Sequence, residues 1–546
     1  MRLFPRFPGQ ARVLLAEAGA ALAIAALIAG CGDNYRPVVT PVNTSGPPAQ
    51  VTSYVIAVSA PSPTTAGVVT IIDYSGDSIL TEAPIGPGPK VFTLDELGAT
   101  GYTINSDGTM SNFAITTSLQ AKNVSESTLP NGSVPVNIMA PSAGLWATDL
   151  TGNAVDLFQG SPQAYKLSIP LGSLASAATM PVFTTGSATL TGQREYVLSQ
   201  NVPNTAAGQI ACNLSPRTAP TGVITPIEIS SNTADPSIPV GKCPVFALGT
   251  PDQQRLFVLN RGDDTITVIN SNKNSLDACP VPLVPVPPST VPTACPAPYN
   301  TNQNGQPISY HPVLPLSAAA LTPADAPPNC NLTTNPTCGM GAIAGPVSAV
   351  YNAATQQIVV ANYDGGSISV IDVSLDEYGN DSATFGTTYT IPVGNTATPD
   401  PADVTVLYDG SKAYTANQND GAENGTVTVV NLSTHTVEKT LTVEGHPRSI
   451  ASTQNSEYSK IYTASPDSPY ITIIQSTPTV TDSIDTTVLL EGNVVDMRAT
   501  TQNGSSGNPE FTSRVPGYGQ PCNLPPSLMV STYGASYTLA NCQTQP

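Results

Sequence analysis

One arrangement of apolar and polar positions recurs along this chain. Arg255-Leu256-Phe257-Val258-Leu259-Asn260 is a short, mostly apolar run, and Asp263-Asp264-Thr265-Ile266-Thr267-Val268-Ile269-Asn270 follows it in alternation. The same pair returns as Gln357-Ile358-Val359-Val360-Ala361-Asn362 with Ser367-Ile368-Ser369-Val370-Ile371-Asp372, and as Lys412-Ala413-Tyr414-Thr415-Ala416-Asn417 with Thr426-Val427-Thr428-Val429-Val430-Asn431. Short Val-, Ile- and Thr-rich runs joined across Gly, Asp or Asn predict antiparallel hairpins. Two further strands follow each pair. Thr436–Val443 leads to Gly445-His446-Pro447-Arg448-Ser449-Ile450, and Tyr389-Thr390-Ile391-Pro392-Val393-Gly394 leads through Pro401 to Val404-Thr405-Val406.

Weaker copies extend the repeat over Tyr54–Ser59, Tyr102–Asn105, Leu145–Asp149, Tyr196–Ser199 and Ile461–Ser465. With Ser59, Asn105, Asp149, Ser199, Asn260, Asn362, Asn417 and Ser465 as equivalents, the spacings are 46, 44, 50, 61, 102, 55 and 48. Most lie near the ~40–50 residues of a four-stranded propeller blade. A β-sandwich does not carry such a period. The expected fold is therefore an all-β propeller over residues 51–502, with eight repeats counted and seven blades as the alternative. These residues resemble the YVTN family of β-propeller repeats, in which a Tyr-Val-Thr-Asn-like strand precedes a Val-Ile-Asp-like strand and an Ile-Pro-Val-Gly turn. The likeness is good over 250–480 and diffuse over 51–250, where Trp146 replaces the tyrosine.

The spacing of 102 marks a Pro- and Cys-rich insertion over about 276–345, either an ornamental loop or a partner-binding flap. Residues 503–546 have lost the repeat and are expected to pack on the ring as a disulfide-stapled extension.

At the other end, Arg2, Arg6 and Arg12 precede an uncharged apolar run from Ala18 to Ala29. That length suits a signal peptide and is too short for a membrane-spanning helix. Leu27-Ile28-Ala29-Gly30-Cys31 resembles a bacterial lipobox, which implies a signal peptide over 1–30 and a lipid on Cys31. An ordinary cleaved signal or an uncleaved anchor are the competing readings. Gly32 after the cysteine resembles the signal for outer-membrane sorting. The resemblance places the protein in the bacterial cell envelope, held to the membrane by lipid and by a flexible tether over 31–50 that reaches up to about 60 Å.

Composition fits export. Charged residues are only 10% of the chain, Gly (43) and Pro (54) are plentiful, and the 40% apolar fraction suffices for a core. The net charge is −19, and loss of Arg2, Arg6, Arg12 and Glu17 with the signal makes it two units more acidic. Phosphate backbones are repelled by such a chain, so nucleic acid is not an expected partner. Of nine cysteines, Cys31 is assigned to lipid, and the even remainder reads as four disulfides. Chain proximity suggests Cys212–Cys243, Cys279–Cys295, Cys330–Cys338 and Cys522–Cys542, although eight cysteines allow 105 pairings.

Chemistry is sparse. In a propeller, the turn after each Asn-like position and the loop before each Pro-like position share one face. Asp107, Asp263, Asp264, Asp364, Asp420, Glu423 and Asp467 would line that rim, with His446 and Arg448 beside the channel. Such carboxylates suit calcium or another divalent ion, or a basic ligand. The competing role, bonding to backbone in the turns, is the stronger expectation, and no Asp-x-Asp-x-Asp-Gly loop is present. No cofactor is expected otherwise. No Gly-x-Ser-x-Gly, His-Glu-x-x-His or phosphate-binding glycine loop occurs, and His311, His435 and His446 are the only histidines. The 20 tyrosines are expected mainly between blades. A non-catalytic module binding a protein, peptide or glycan is the expected function. The alternative is an exported lactonase-like hydrolase using rim carboxylates and a divalent metal, by fold analogy alone.

Overall fold

The computed structural model describes residues 54–500 apart from 63, 74, 96–97, 117–118, 120–122, 141–143, 172–180, 190–191, 202–218, 251–253, 303, 317–343 and 454–457. Cys31, Cys212, Cys330, Cys338, Cys522 and Cys542 lie outside the described residues, as do the signal, tether and C-terminal extension.

Every described sheet but one is a blade, and there are eight. Blade 5 is representative, with an inner strand Pro244–Gly249, a second Arg255–Asn260 and a third Thr265–Asn270, all antiparallel. Ring closure uses both ends of the described chain. Asn493–Ala499 is the inner strand of blade 1, whose other strands are Tyr54–Ala60, Ala66–Asp73 and Ser78–Pro87. Val55 pairs with Ala499, and the Thr500 amide donates to the Tyr54 carbonyl at 2.8 Å. This closure hides strand edges that an open array would leave bare.

Burial falls outward along each blade. The second strand of blade 7, Lys412–Asn417, is buried throughout, while its outer strand, Thr436–Thr442, is mostly exposed. A strand flanked by strands and by neighbouring blades must be apolar on both faces, which explains the nonalternating YVTN-like runs. Inner strands of six blades begin at proline, as at Pro89, Pro244, Pro346 and Pro401. Proline's missing N–H costs nothing at the first position of a strand that edges the channel. In four of them the residue ahead of the proline is left-handed, with φ +51° at Gly88, +49° at Cys243, +56° at Gly345 and +49° at Asp400.

Six of the eight equivalent positions chosen from the sequence end the second strands, while Ser59 lies one residue before the end of its strand and Ser465 one residue past. Asn260 Nδ2 donates to Thr265 Oγ1 at 3.1 Å and Thr267 Oγ1 at 2.9 Å. Asn362 does the same to Ser367 and Ser369, Asn105 to Thr109 and Ser111, and Asn417 to Thr426 and Thr428. The asparagine thus clamps two same-face hydroxyls of the third strand. Asn417→Ala removes one hydrogen bond from each of Thr426 and Thr428, and should cost about 2 kcal/mol in urea unfolding.

Cys279 and Cys295 form a disulfide, with Cα atoms 5.7 Å apart. Cys243 is also disulfide-bonded. The Pro- and Cys-rich stretch is not wholly outside the blade. Blade 5's outer strand is split, with Ser275–Leu276 pairing the far end of the third strand and Val313–Pro315 pairing its near end. Leu314 lies opposite Ile266, and Leu314 and Leu316 are core residues. Three residues between prolines carry too short a period to be seen in the sequence.

Candidate binding site at the channel mouth

Antiparallel strands put every second-to-third turn and every blade-to-blade loop on one face. The rim carboxylates singled out from the sequence do gather there, but all except the exposed Glu423 are engaged. Asp263 Oδ2 accepts the Lys242 amide at 2.6 Å, and Asp264 Oδ1 accepts the Gly345 amide at 2.8 Å. Asp364 takes a forked pair from Arg261, Nη2 to Oδ1 at 2.7 Å and Nε to Oδ2 at 3.0 Å. Asp420 accepts the amides of Asn395 and Thr396, each at 2.7 Å, and the Thr426 hydroxyl at 2.6 Å. Asp467 receives the His446 amide at 2.9 Å and faces His446 Nδ1 at 2.7 Å. Asp107 caps its own turn through the Thr109 amide, Glu423 is exposed, and Arg448 is buried.

Most of these bonds tie a turn to the loop that enters the same or the next blade. The carboxylates therefore latch the ring, with partners beyond their own turns that local spacing does not reveal. Among the described residues, no group of three or more His, Cys, Asp or Glu side chains is placed to hold a metal ion.

A second set of side chains escaped the sequence reading. The residue following the Asn-like position is Gln200 in blade 4, Arg261 in blade 5, Tyr363 in blade 6 and Gln418 in blade 7. All four are buried, Gln418 fully and Gln200 to within 1%. They form an arc beside the starts of the inner strands. Gln200 Nε2 faces the Pro244 carbonyl at 3.5 Å, Arg261 lies 5.4 Å over the Tyr363 ring, and the Tyr363 hydroxyl donates to Gln418 Oε1 at 3.4 Å. Asn419 Nδ2 donates to Asp400 Oδ2 at 2.6 Å. Burial pushes the Asp400 carboxyl up to about 6, against the pull of Asn419. Burial and the Asp400 charge push Tyr363 well above its ordinary range, so it stays a neutral donor.

The arc holds unused hydrogen-bonding capacity. Gln200 Oε1, Gln418 Nε2, Asn419 Oδ1 and Thr396 Oγ1 are buried and have no partner. Native proteins leave few such atoms, because each costs about 1–3 kcal/mol. Blade 3 has Leu150 at the equivalent place, so the polar character belongs to blades 4–7. Aligning the repeats on their asparagines exposes this position in the sequence, but the carboxylates drew the reading instead.

No protein-family model matches the chain, and no curated protein matches it. Among solved structures, distant alignments are found. Apo AztD from Citrobacter koseri is 13% identical with a TM-score of 0.47, covering 84% of this chain and 99% of that one. Dihydro-heme d1 dehydrogenase NirN, in complex with DHE, is 11% identical with a TM-score of 0.49, covering 86% of this chain and 80% of that one. A Bacteroides fragilis protein provisionally named a 6-phosphogluconolactonase is 13% identical with a TM-score of 0.45, covering 83% of this chain and 99% of that one. The eight-bladed assignment rests on this chain's own strand order.

Proposed function

We propose that this chain is a non-catalytic binding module of the bacterial cell envelope, a YVTN-like propeller held to the outer membrane by a lipid on Cys31. Its ligand is a protein, peptide or glycan segment engaged at the channel mouth. The buried polar arc of Gln200, Arg261, Tyr363 and Gln418 supports this reading, because its orphaned atoms cost stability and a polar ligand would satisfy them. Engagement of Asp263, Asp264, Asp364 and Asp420 in latches favours binding over a metal-assisted lactonase.

Fractionation and capture test both halves. The full chain should sediment with outer membranes of a two-membrane bacterium, and Cys31→Ala should move it to the soluble periplasm. Cross-linking in the envelope should give the wild type a partner whose yield falls about tenfold in Gln200→Leu/Gln418→Leu with unchanged circular dichroism. An unchanged yield refutes the mouth as the site, and membrane retention of Cys31→Ala refutes the anchor.

A further inference from the structure

On the opposite face, two departures from the blade repeat meet. One is the disulfide-stapled excursion from blade 5, residues 277–312. The other is the loop 373–387 between the third and outer strands of blade 6, where blade 7 uses a turn of 432–435. The ring needs neither for closure. They are pinned together by Asn302 Nδ2 to Asp376 Oδ2 at 3.3 Å, by an Asn304–Tyr378 hydrogen bond, and by a bridge between Ser309 and Asp381. Between them and the lower edge of blade 5 lies a cleft of about 150 Å³.

The floor of the cleft is a buried charge cluster. Arg255 Nη2 reaches Asp381 Oδ1 at 3.0 Å, the Gly379 carbonyl at 3.2 Å and Asp277 Oδ1 at 3.4 Å. His311 Nδ1 is 2.7 Å from Asp381 Oδ2. Arg255 Nε is buried without a partner. Around this floor the walls are carboxamides and hydroxyls, among them Asn272, Asn380, Ser309, Tyr310 and Tyr378, with Ile308 the sole aliphatic side chain. Two cations, Arg255 and Lys273, face two carboxylates, Asp277 and Asp381, so fixed charge selects neither an anion nor a cation.

We infer that this cleft binds one ring of a neutral pyranose sugar, as a free monosaccharide or the end of a glycan. Planar amides and carboxylates in fixed positions match the alternating donors and acceptors of ring hydroxyls; Tyr310 carries Lys273 over its ring at 6.0 Å, and the exposed Tyr378 is the aromatic side chain left for the sugar's C–H side. The cleft opens to solvent and seats one small ring against its floor. Two loops added to the four-strand blade plan, held rigid by a disulfide, by cross-bonds and by the anchoring of Val373 and Phe385 in the core, are the usual place for such a site. The inference is independent of the mouth on the other face.

The test is saturation-transfer NMR and calorimetry on the mature chain, titrated with glucose, galactose, mannose, N-acetylglucosamine, glucuronate and glucosamine. At least one neutral sugar should bind saturably in the millimolar range, more tightly than either charged one. Asn272→Ala and Tyr378→Ala, both exposed and remote from the core, should each weaken it about tenfold with no loss of fold. Absence of saturation by every neutral sugar, preference for glucuronate or glucosamine, or binding unchanged in both variants would overturn the inference. Transfer of signal from the reducing or the non-reducing end of a short oligosaccharide distinguishes a glycan terminus from a free sugar.

Discussion

Asp482→Ala is expected to cost the ring about 3 kcal/mol, because it leaves a buried ammonium with the longer, partly exposed contact to Glu438, at 3.4 Å, in place of its close counter-ion. Asp482 stands at the third-to-outer turn region of blade 8 and reaches back to blade 7. Lys412 Nζ lies 2.6 Å from its Oδ2, the Tyr414 hydroxyl donates to its Oδ1 at 2.8 Å, and Lys439 Nζ donates to its carbonyl at 2.8 Å. Lys412, Tyr414 and Asp482 are all buried. Burial first, then the Asp482 charge, raises the Tyr414 hydroxyl far above its ordinary range, so it remains a donor at any working pH. Urea unfolding of Asp482→Ala measures the loss. Lys412→Met/Asp482→Leu, which removes both charges, should recover most of it. A single variant within 1 kcal/mol of wild type would mean that Glu438 or water takes over the Lys412 charge and the clip contributes little.

The same clip closes the ring. Lys460 Nζ lies 2.5 Å from Asp77 Oδ2, and the Tyr462 hydroxyl donates to Asp77 Oδ1 at 2.8 Å, joining blade 8 to blade 1. Arg255 and Asp381 repeat its charged half between blades 5 and 6, where Phe257 replaces the tyrosine. A basic residue two places before an aromatic at the start of the second strand is therefore a repeat-level motif. It is visible as Lys412-Ala413-Tyr414 and Lys460-Ile461-Tyr462, and it accounts for tyrosines expected between blades.

What local pattern encodes, the sequence reveals. Asn260, Asn362 and Asn417 mark strand ends because their clamps act within seven to eleven residues, on the next strand. The clip acids are another matter. Asp381 lies 126 positions from Arg255, and Asp77 lies 383 positions from Lys460. Their pairing depends on the order of blades around a closed ring, which no window of sequence contains. Rim position was legible for Asp364 and Asp420, but their use was not, since the partners come from neighbouring loops. Val313–Pro315 was hidden for a third reason, a strand too short to show a period. The mouth arc lay in plain view as the residue after each asparagine, and its meaning needed burial to be known.

Asp400→Asn should make the protein more stable at neutral pH and flatten its pH dependence. Burial holds the Asp400 carboxyl at about 6, against 3.8 for the free side chain. The folded state therefore keeps a proton that the unfolded chain gives up, over the window between those values. Proton binding by the folded form means that stability is fully present below about pH 4 and declines as pH rises through 6. Two units correspond to roughly 3 kcal/mol by linkage, with the pull of Asn419 and Arg261 already contained in that net shift. Asparagine carries no charge to desolvate, its amide oxygen can still accept from Asn419, and it tolerates the left-handed backbone at this position, where φ is +49°. Asp277, held at about 6 by burial and the nearby Asp381 despite Arg255, pulls in the same direction and survives in the variant. The falling charge of so acidic a chain does so as well. Wild type should thus lose stability between pH 5 and 7.5, and Asp400→Asn should lose less, gaining about 1–3 kcal/mol over wild type at pH 7.5 and little at pH 4.5. Parallel urea titrations at those three pH values decide it. Equal slopes in the two proteins would show that the buried carboxyl at the mouth is already ionised at little cost, with the Arg261 guanidinium as its true counter-ion.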